Sequence, residues 1–287
     1  MFEPLELEIA FGHFVQSSYS SSLDAFFLIL TQLGNPVLWL LLIALLYWSG
    51  EEKKSFFLAS TLIFVAALVG ILKLITLRAR PLESEFRVLV QEPLSLYSLP
   101  SGHAATIAGV FGYYWEKFEH SARILGLFVV LLVMISRMYL GAHYLGDVLV
   151  GGLFGALLGR LMHSLEQKFS GLKISREKLL EEVGLIGAIV VAIIISLLYR
   201  PFAIASSFAG FFAGFFFSKL MGAKYQKVQG TPLIIKIGLG FIGLALIGLG
   251  SIQFEEFSAE GFFAFGLWIS MIYPLIYERI LNGSKPK

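Results

Sequence analysis

Long apolar runs separated by short polar connections dominate this sequence. Most runs have close to the ~20 residues that a helix needs to cross the ~30 Å hydrocarbon core of a bilayer, and the third and fourth are shorter. The runs predict nine membrane-spanning helices, at about residues 25–48, 56–77, 103–116, 124–140, 144–165, 183–199, 202–220, 233–251 and 262–279. The predicted fold class is therefore all-α, a polytopic membrane helix bundle.

The composition agrees with this class and excludes others. Of the 287 residues, 57% are hydrophobic and 15% are charged, and the mean hydropathy is +0.79. Soluble domains carry about 25% charged residues. A net charge of +2 gives no support for a nucleic-acid partner. Because the sequence has no cysteine, it forms no disulfide and no thiolate metal site.

The distribution of lysine and arginine predicts the orientation in the membrane. With nine spans and the N-terminus outside, most basic residues fall in inside connections or at the C-terminus, as the positive-inside rule requires. The connection 253–260 has three glutamates and no basic residue, and it falls outside. The predicted topology therefore has the N-terminus outside and the C-terminus in the cytoplasm.

Small residues recur at helical spacing in two of the predicted spans. They are Gly151, Gly155 and Gly159 in one span, and Gly210 and Gly214 in another. In membranes this spacing is typical of helices whose backbones approach closely. The pattern predicts tight helix–helix packing and no chemistry.

Three clusters of charged residues interrupt the apolar pattern, "KLITLRARP" (73–81), "LPSGHAA" (99–105) and "SRMYLGAHYLGD" (136–147). Charged side chains beside membrane spans are costly and mark functional sites. The predicted topology brings all three clusters to the outer face, although the clusters were not used to choose it.

The second cluster has the features of an anion site. Pro100 ends the preceding segment, and Ser101 is a good N-cap for the helix that follows. Gly102 lets backbone N–H groups approach a ligand, and a helix N-terminus favours phosphate. His103 then lies in the first turn, beside that anion.

The first and third clusters add a nucleophile or a base, and cations. His143 and Asp147 are four residues apart, which places them on one helical face, and the carboxylate would fix the imidazole tautomer. Lys73, Arg80 and Arg137 would surround a phosphate with positive charge. The set fits phosphoryl transfer. No carboxylate cluster for Mg²⁺ and no H-E-x-x-H motif occurs, so we expect no metal and no cofactor, and a phosphohistidine intermediate.

The spacings K-x6-R-P, P-S-G-H and S-R-x5-H-x3-D, in this order, resemble the three signature motifs of the type 2 phosphatidic acid phosphatase (PAP2) superfamily. The resemblance covers roughly residues 25–165. It implies that His143 attacks phosphorus and that Asp147 orients His143. It also implies that His103 protonates the leaving group and then activates water. The phosphate oxygens would be held by the remaining motif residues, Lys73, Arg80, Ser101, the Gly102 amide and Arg137.

The resemblance suggests a division of the chain into four segments. Residues 1–22, which include Glu3, Glu6 and Glu8 and no lysine or arginine, predict an interfacial amphipathic segment rather than a removable signal peptide. A PAP2-like catalytic domain of five spans, a cytoplasmic linker and a four-helix C-terminal extension follow, at 23–165, 166–182 and 183–287. Residues 82–98 join two motifs, and we expect them to form a lid or selectivity loop.

The expected substrate is an amphiphilic lipid phosphate whose tail stays in the bilayer. Candidates are phosphatidic acid, phosphatidylglycerol phosphate, undecaprenyl diphosphate and a sphingoid-base phosphate. Two alternatives stay open, a lipid phosphotransferase that uses the same phosphohistidine, and a lipid transport or scaffold protein with an accessory PAP2 site. The expected location is a bacterial inner (plasma) membrane with the site facing the periplasm or outside. The sequence leaves the oligomeric state open.

Overall fold

The computed structural model describes residues 2–92, 95–171, 186–187, 189–195, 202–221, 230–253 and 258–281. Over these ranges the chain is helical and has no strand, which confirms the predicted all-α class for this part of the protein. The helices are α1 (Glu6–Gln16), α2 (Ser21–Leu30), α3 (Pro36–Trp48), α4 (Glu52–Thr76), α5 (Gly102–Tyr114), α6 (His120–Tyr139), α7 (Leu145–Gly171), α8 (Phe202–Leu220), α9 (Thr231–Gln253), α10 (Ser258–Leu267) and α11 (Tyr273–Leu281). Residues 186–187 and 189–195 are also helical.

Several of these helices can cross a membrane. Within the described ranges, five helical segments are long and apolar enough to span a bilayer: Glu52–Thr76, His120–Tyr139, Leu145–Lys168, Pro232–Ser251 and Ala259–Arg279. The last of these includes most of α10 and α11. The count rises to six if the bent pair α2 and α3 forms one span. The predicted total of nine spans and the predicted orientation of the termini stay predictions. Most of the predicted linker 166–182 lies outside the described residues.

The segment 25–48 was predicted to be one span, and the structure places a bend within it. The segments Ser21–Gly34 and Pro36–Trp48 meet at an angle of 52°. Asn35 has an extended backbone, with φ −79° and ψ 122°, because a residue that precedes proline is driven out of the helical region. Its side chain accepts a hydrogen bond of 3.0 Å from the Val37 N–H and so caps the start of α3.

The chain divides into two compact units. One comprises Met1–Leu38 and Ser60–Arg200, and the other comprises Trp39–Ala59 and Pro201–Lys287. All of the motif residues belong to the first unit. The segment Trp39–Ala59 belongs to the same unit as the C-terminal helices. The domain boundaries predicted from the sequence stay predictions.

Helices α5 and α7 of the first unit approach each other through small residues. A Cβ atom added at Gly155 would lie 2.1 Å from the Ala105 carbonyl oxygen, and one added at Gly159 would lie 2.0 Å from that of Gly109. At Gly151 the Cβ would lie 2.5 Å from the Ser101 carbonyl oxygen. The predicted close packing is confirmed here, and it fixes the N-terminus of α5 against the start of α7.

The second unit is held together largely by aromatic side chains. The Phe56 ring lies 4.8 Å from that of Phe215 and 5.6 Å from that of Phe212. The buried Trp48 indole donates a hydrogen bond of 2.9 Å to the Ile269 carbonyl oxygen. These contacts give this unit its own core, and the charged motifs take no part in it.

Candidate active site

Backbone and side-chain hydrogen bonds join the three charged motifs in the first unit. The Ser98 N–H donates to the Arg78 carbonyl at 2.8 Å, and the Ser101 N–H donates to the Asp147 carbonyl at 2.9 Å. The Lys73 ammonium lies 3.4 Å from the Ser98 carbonyl oxygen. The end of α4, the start of α5 and the start of α7 therefore meet at one place, as the predicted topology requires.

The His143 and Asp147 side chains face each other, although His143 is not in a helix. Helix α7 begins at Leu145, so the predicted common helical face is wrong. The Tyr144 N–H donates to Asp147 Oδ2 at 2.8 Å, in the manner of a helix-capping carboxylate. His143 Nδ1 lies 3.4 Å from the same Oδ2, and the Ser98 hydroxyl donates to Oδ2 as well. The carboxylate thus fixes the start of α7 and also faces the imidazole.

The second ring nitrogen of His143 points toward a cation. Its Nε2 lies 3.4 Å from Arg80 Nη1. Arg80 is held by the carbonyl oxygens of Ala142 at 2.9 Å and Ser95 at 2.7 Å. Burial and the charge of Arg80 hold the pKa of His143 well below its usual range, so the imidazole is neutral. A neutral imidazole with Nδ1 toward a carboxylate has the Nε2 lone pair available for attack.

Arg137 and Lys73 complete the cluster of positive charge. The Arg137 side chain is fully buried, and its Nη1 donates to the Thr31 hydroxyl at 3.0 Å. Lys73 is also buried, and its ammonium donates to the Tyr97 carbonyl oxygen. Buried cations are costly unless an anion compensates them, so this arrangement favours a negative charge beside them.

The N-terminus of α5 forms one wall of the site. The Ser101 hydroxyl accepts a hydrogen bond of 3.5 Å from the Ala104 N–H, which confirms its predicted place as the N-cap. The first N–H groups of a helix, here those of Gly102 and His103, have no partner within the helix. A Cβ added at Gly34 would lie 2.7 Å from His103 Cβ, so the turn before α3 supports the histidine closely.

Glu92, which the sequence did not single out, lies inside the cluster of cations. Its Oε2 accepts a hydrogen bond of 2.8 Å from Arg80 Nη2, and its Oε1 contacts Arg137 Nη2. Oε1 also lies 3.7 Å from His103 Nδ1. Burial raises the pKa of Glu92, but the charges of Arg137 and Arg80 outweigh burial and hold it well below its usual range. The group is therefore a carboxylate.

Behind Asp147, a second ion-pair network extends to the first helix. Arg78 Nη1 lies 3.0 Å from Asp147 Oδ1, and Arg78 Nη2 contacts Glu8 Oε2. Glu8 also accepts hydrogen bonds from the Gly146 N–H at 2.7 Å and the Leu5 N–H at 2.8 Å. Although residues 1–22 were expected to lie at the membrane interface, one carboxylate of α1 is buried in the wall of the site.

The sequence contained only weak signals for these additional residues. Arg78 lies two positions before Arg80 within the first motif, which suggests a role at the site. Glu8 is one of three acidic residues near the N-terminus, and Glu92 is one of several in its connection. Ser98 has no distinguishing neighbour in the sequence. Their roles depend on contacts between distant segments, which spacing alone does not reveal.

No group of three or more His, Asp or Glu side chains is arranged to hold a metal ion in the part of the chain that the structure describes. The expectation that the reaction needs no metal and no cofactor stays a prediction, and inhibition by a chelator tests it.

Part of the chain resembles a known protein family. The family model for the PAP2 superfamily matches residues 54–170, a range that includes all three charged motifs. This part of the chain is similar to proteins of the PAP2 superfamily. The match confirms the resemblance predicted from the motifs, and with the apolar helices it makes the chain an integral membrane protein.

Two curated proteins are similar to part of this chain. Phosphatidylglycerophosphatase B of Bacillus subtilis is 37% identical over 101 residues, which are 32% of this chain and 47% of the relative. Undecaprenyl-diphosphatase of Sulfolobus acidocaldarius is 28% identical over 151 residues, which are 51% of this chain and 72% of the relative. The chain thus spans about half the length of the first relative.

Two solved structures share the fold of part of this chain. Aquifex aeolicus LpxE superposes with a TM-score of 0.51 and 24% identity, covering 57% of this chain and 98% of that structure. A transmembrane PAP2-type phosphatidylglycerolphosphate phosphatase from Bacillus subtilis superposes with a TM-score of 0.50 and 25% identity, covering 58% and 88%. A large part of this chain therefore has no counterpart in these two structures.

Proposed function

We propose that this protein is a metal-independent lipid phosphatase that hydrolyses the phosphomonoester or diphosphate of an amphiphilic substrate through a phosphohistidine on His143. One observation carries the proposal: His143 Nδ1 faces Asp147 while Nε2 faces Arg80 in the cluster of cations. A nucleophile that is oriented on one side and open to a phosphate site on the other is what phosphoryl transfer requires.

In the first step, the Nε2 lone pair of His143 attacks phosphorus and forms a P–N bond. The bond between phosphorus and the leaving oxygen breaks, and protonated His103 donates its proton to that oxygen. Asp147 accepts the Nδ1–H hydrogen bond and stabilises the positive charge that develops on the imidazole. The product of this step is the dephosphorylated lipid, or the lipid monophosphate when the substrate is a diphosphate.

In the second step, neutral His103 takes a proton from water, and the water oxygen attacks phosphorus. The P–N bond breaks, and its electron pair returns to His143 Nε2. Orthophosphate leaves, and His103 is protonated again. Arg80, Arg137 and Lys73 neutralise the equatorial oxygens in both steps, and electrostatic stabilisation of this kind is usually the largest single contribution to catalysis.

An apolar groove supports a substrate that carries a hydrocarbon tail. The groove lies between α5, α6 and α7 and has a volume of about 460 Å³. Its lining includes Met134 and Leu149, which are close in sequence to Arg137 and Asp147, and Arg160, which lies farther along α7. From Leu149 to Arg160 the helix rises about 16 Å, which is long enough for much of an acyl chain.

The candidate substrates are phosphatidic acid, phosphatidylglycerol phosphate, undecaprenyl diphosphate and a sphingoid-base phosphate. The names of the two curated relatives, a phosphatidylglycerophosphatase and an undecaprenyl-diphosphatase, favour the second and third. We further propose nine spans with the N-terminus outside and the C-terminus in the cytoplasm. The site then faces the outside of a bacterial inner (plasma) membrane, which is the periplasm where one exists.

The test is phosphate release by the purified protein in detergent, with EDTA, from each candidate lipid. Wild type should hydrolyse at least one lipid, His143→Ala should not, and the exposed His120→Ala should retain wild-type activity. Loss of wild-type activity in EDTA would contradict metal independence. If no lipid releases phosphate, the hydrolase proposal fails. Labelled phosphoryl groups recovered on a lipid or sugar acceptor would then identify a phosphotransferase.

A further inference from the structure

Glu92 holds the position that the proposed mechanism assigns to a phosphate. Its two carboxylate oxygens contact one guanidinium each, those of Arg80 and Arg137, and Oε1 lies 3.7 Å from the proposed acid His103. The Arg137 side chain is almost fully buried and the Glu92 side chain is 21% exposed. The carboxylate therefore compensates charges inside the site and is not a surface group that happens to lie nearby.

A phosphate and this carboxylate need the same donors. Arginine binds both anions through paired N–H groups, and the Nη2 atoms of Arg80 and Arg137 are engaged by Glu92. If both anions were present, two negative charges would lie side by side in a poorly hydrated site, which is strongly unfavourable. The two anions would therefore compete for the cluster.

We propose that Glu92 occupies the phosphate site of the resting enzyme and that a substrate phosphate displaces it, so that Glu92 sets the affinity of the site for phosphate ligands. This inference rests on the proposed function, because it takes the cluster of cations to be the phosphate site. It assigns Glu92 a positioning and competing role, and no bond is made or broken at its carboxylate.

The attachment of Glu92 allows such an exchange. Glu92 belongs to the connection between α4 and α5 and to no helix, and the Ser95 N–H donates to its carbonyl oxygen at 3.0 Å. The Ser95 carbonyl in turn accepts a hydrogen bond of 2.7 Å from Arg80 Nε. Arg80 thus contacts both the Glu92 side chain and the Ser95 carbonyl oxygen, so a phosphate that engages Arg80 weakens the contacts of Glu92.

The exchange has consequences at both ends of the reaction. Before substrate arrives, the carboxylate compensates the buried guanidinium groups of Arg80 and Arg137. After hydrolysis, it competes with orthophosphate for the same donors and favours release of this product. An intrinsic competitor lowers the apparent affinity for every phosphate ligand. The apparent affinity is the affinity of the open site multiplied by the fraction of time that the site is open.

The test measures binding of orthophosphate to the full-length protein in detergent by calorimetry, which needs no turnover. Glu92→Gln, which removes the charge, should bind orthophosphate at least about tenfold more tightly than wild type, since a neutral amide competes less well for the arginines. Glu92→Ala should change affinity in the same direction. Glu85→Gln is the matched control, because Glu85 is an exposed carboxylate of the same connection, and it should bind as wild type does.

The outcomes separate this inference from the proposed function. If Glu92→Gln and Glu92→Ala fold with cooperative thermal transitions but bind orthophosphate no more tightly than wild type, or not at all, the inference is wrong. Lipid hydrolysis by wild type could still proceed in that case. If both variants bind orthophosphate more tightly while no candidate lipid is hydrolysed, the inference stands and the proposed function fails.

Discussion

Arg78 Nη1 lies 3.0 Å from Asp147 Oδ1, and both side chains are buried. The carboxylate that faces His143 is therefore held by a cation of its own, through the oxygen that does not face the imidazole. This pair connects the proposed nucleophile with the first helix, because Arg78 also contacts Glu8.

Replacement of Arg78 should reduce turnover more than substrate binding. Arg78→Ala leaves the buried Asp147 carboxylate without its cation, which should cost about 3–5 kcal/mol of stability and misplace the orienting group. We expect kcat to fall at least about tenfold while KM changes little, and Arg78→Lys to restore part of kcat. Steady-state kinetics on the preferred lipid measures both parameters.

The control for this prediction is Arg123→Ala, which removes a partly exposed arginine whose guanidinium lies 3.8 Å from Glu116. An Arg78→Ala enzyme with raised KM and unchanged kcat would show that Arg78 binds substrate and does not position Asp147.

Glu8 should make stability depend on pH. Burial raises the pKa of Glu8. Hydrogen bonds from Arg78, Leu5 and Gly146 lower it by more, so the pKa lies below its ordinary value of 4.5. A lowered folded-state pKa gives stability that is present above the unfolded-state pKa and is lost as the pH falls through the folded-state pKa. Wild type should therefore melt at a higher temperature than Glu8→Gln at neutral pH, and this difference should shrink below pH 4.5.

Thermal unfolding in detergent over a pH series measures this difference. Glu6→Gln is the matched control, because Glu6 lies on the same helix and is exposed. A difference between wild type and Glu8→Gln that grows as the pH falls would contradict the described role of Glu8.

Ser98 should contribute to catalysis through its hydroxyl. Its Oγ donates to Asp147 Oδ2 and lies 3.3 Å from His143 Nδ1. Ser98→Ala leaves a buried carboxylate with one donor fewer, which should cost about 1–3 kcal/mol. We expect a drop in kcat and a shifted pH–rate profile, whereas the exposed Ser84→Ala of the same connection should leave both unchanged. A Ser98→Ala enzyme with the wild-type pH–rate profile would assign Ser98 a structural role only.

Gly155 should be essential for the packing of α7 against α5. A Cβ at this position would lie 2.1 Å from the Ala105 carbonyl oxygen, which belongs to a helix backbone and cannot move alone. Gly155→Ala should destabilise the protein by about 1–3 kcal/mol or more. Gly152→Ala, on the same helix, meets the flexible Met134 Sδ at 3.3 Å and should be tolerated far better. Equal melting temperatures for the two variants would contradict the described packing.

The sequence predicted the parts of the site that stand out against an apolar background. Lys73, Arg80, Arg137, His143 and Asp147 are conspicuous because charge beside membrane spans is costly, and the structure brings them together. The helix N-terminus at Ser101 was also predictable, since capping chemistry is local.

The sequence did not predict features that depend on distant segments or on local geometry. Glu92 and Glu8 reach the site because separate segments converge on Arg80 and Arg78, and no spacing encodes such contacts. The bend at Asn35–Pro36 was hidden within one apolar run. His143 precedes α7 because the helix begins only at Leu145, and four-residue spacing does not reveal where a helix begins.

The central claim is that His143 carries a phosphoryl group during turnover. The most direct measurement is rapid quenching of wild type with its preferred lipid phosphate under alkaline conditions, followed by peptide mass spectrometry. The account predicts a phosphoryl adduct on His143 that is stable to base and labile to acid, absent from His143→Ala and present in His120→Ala. An active wild-type enzyme that never carries an adduct on His143, or that carries it on another residue, would contradict the account.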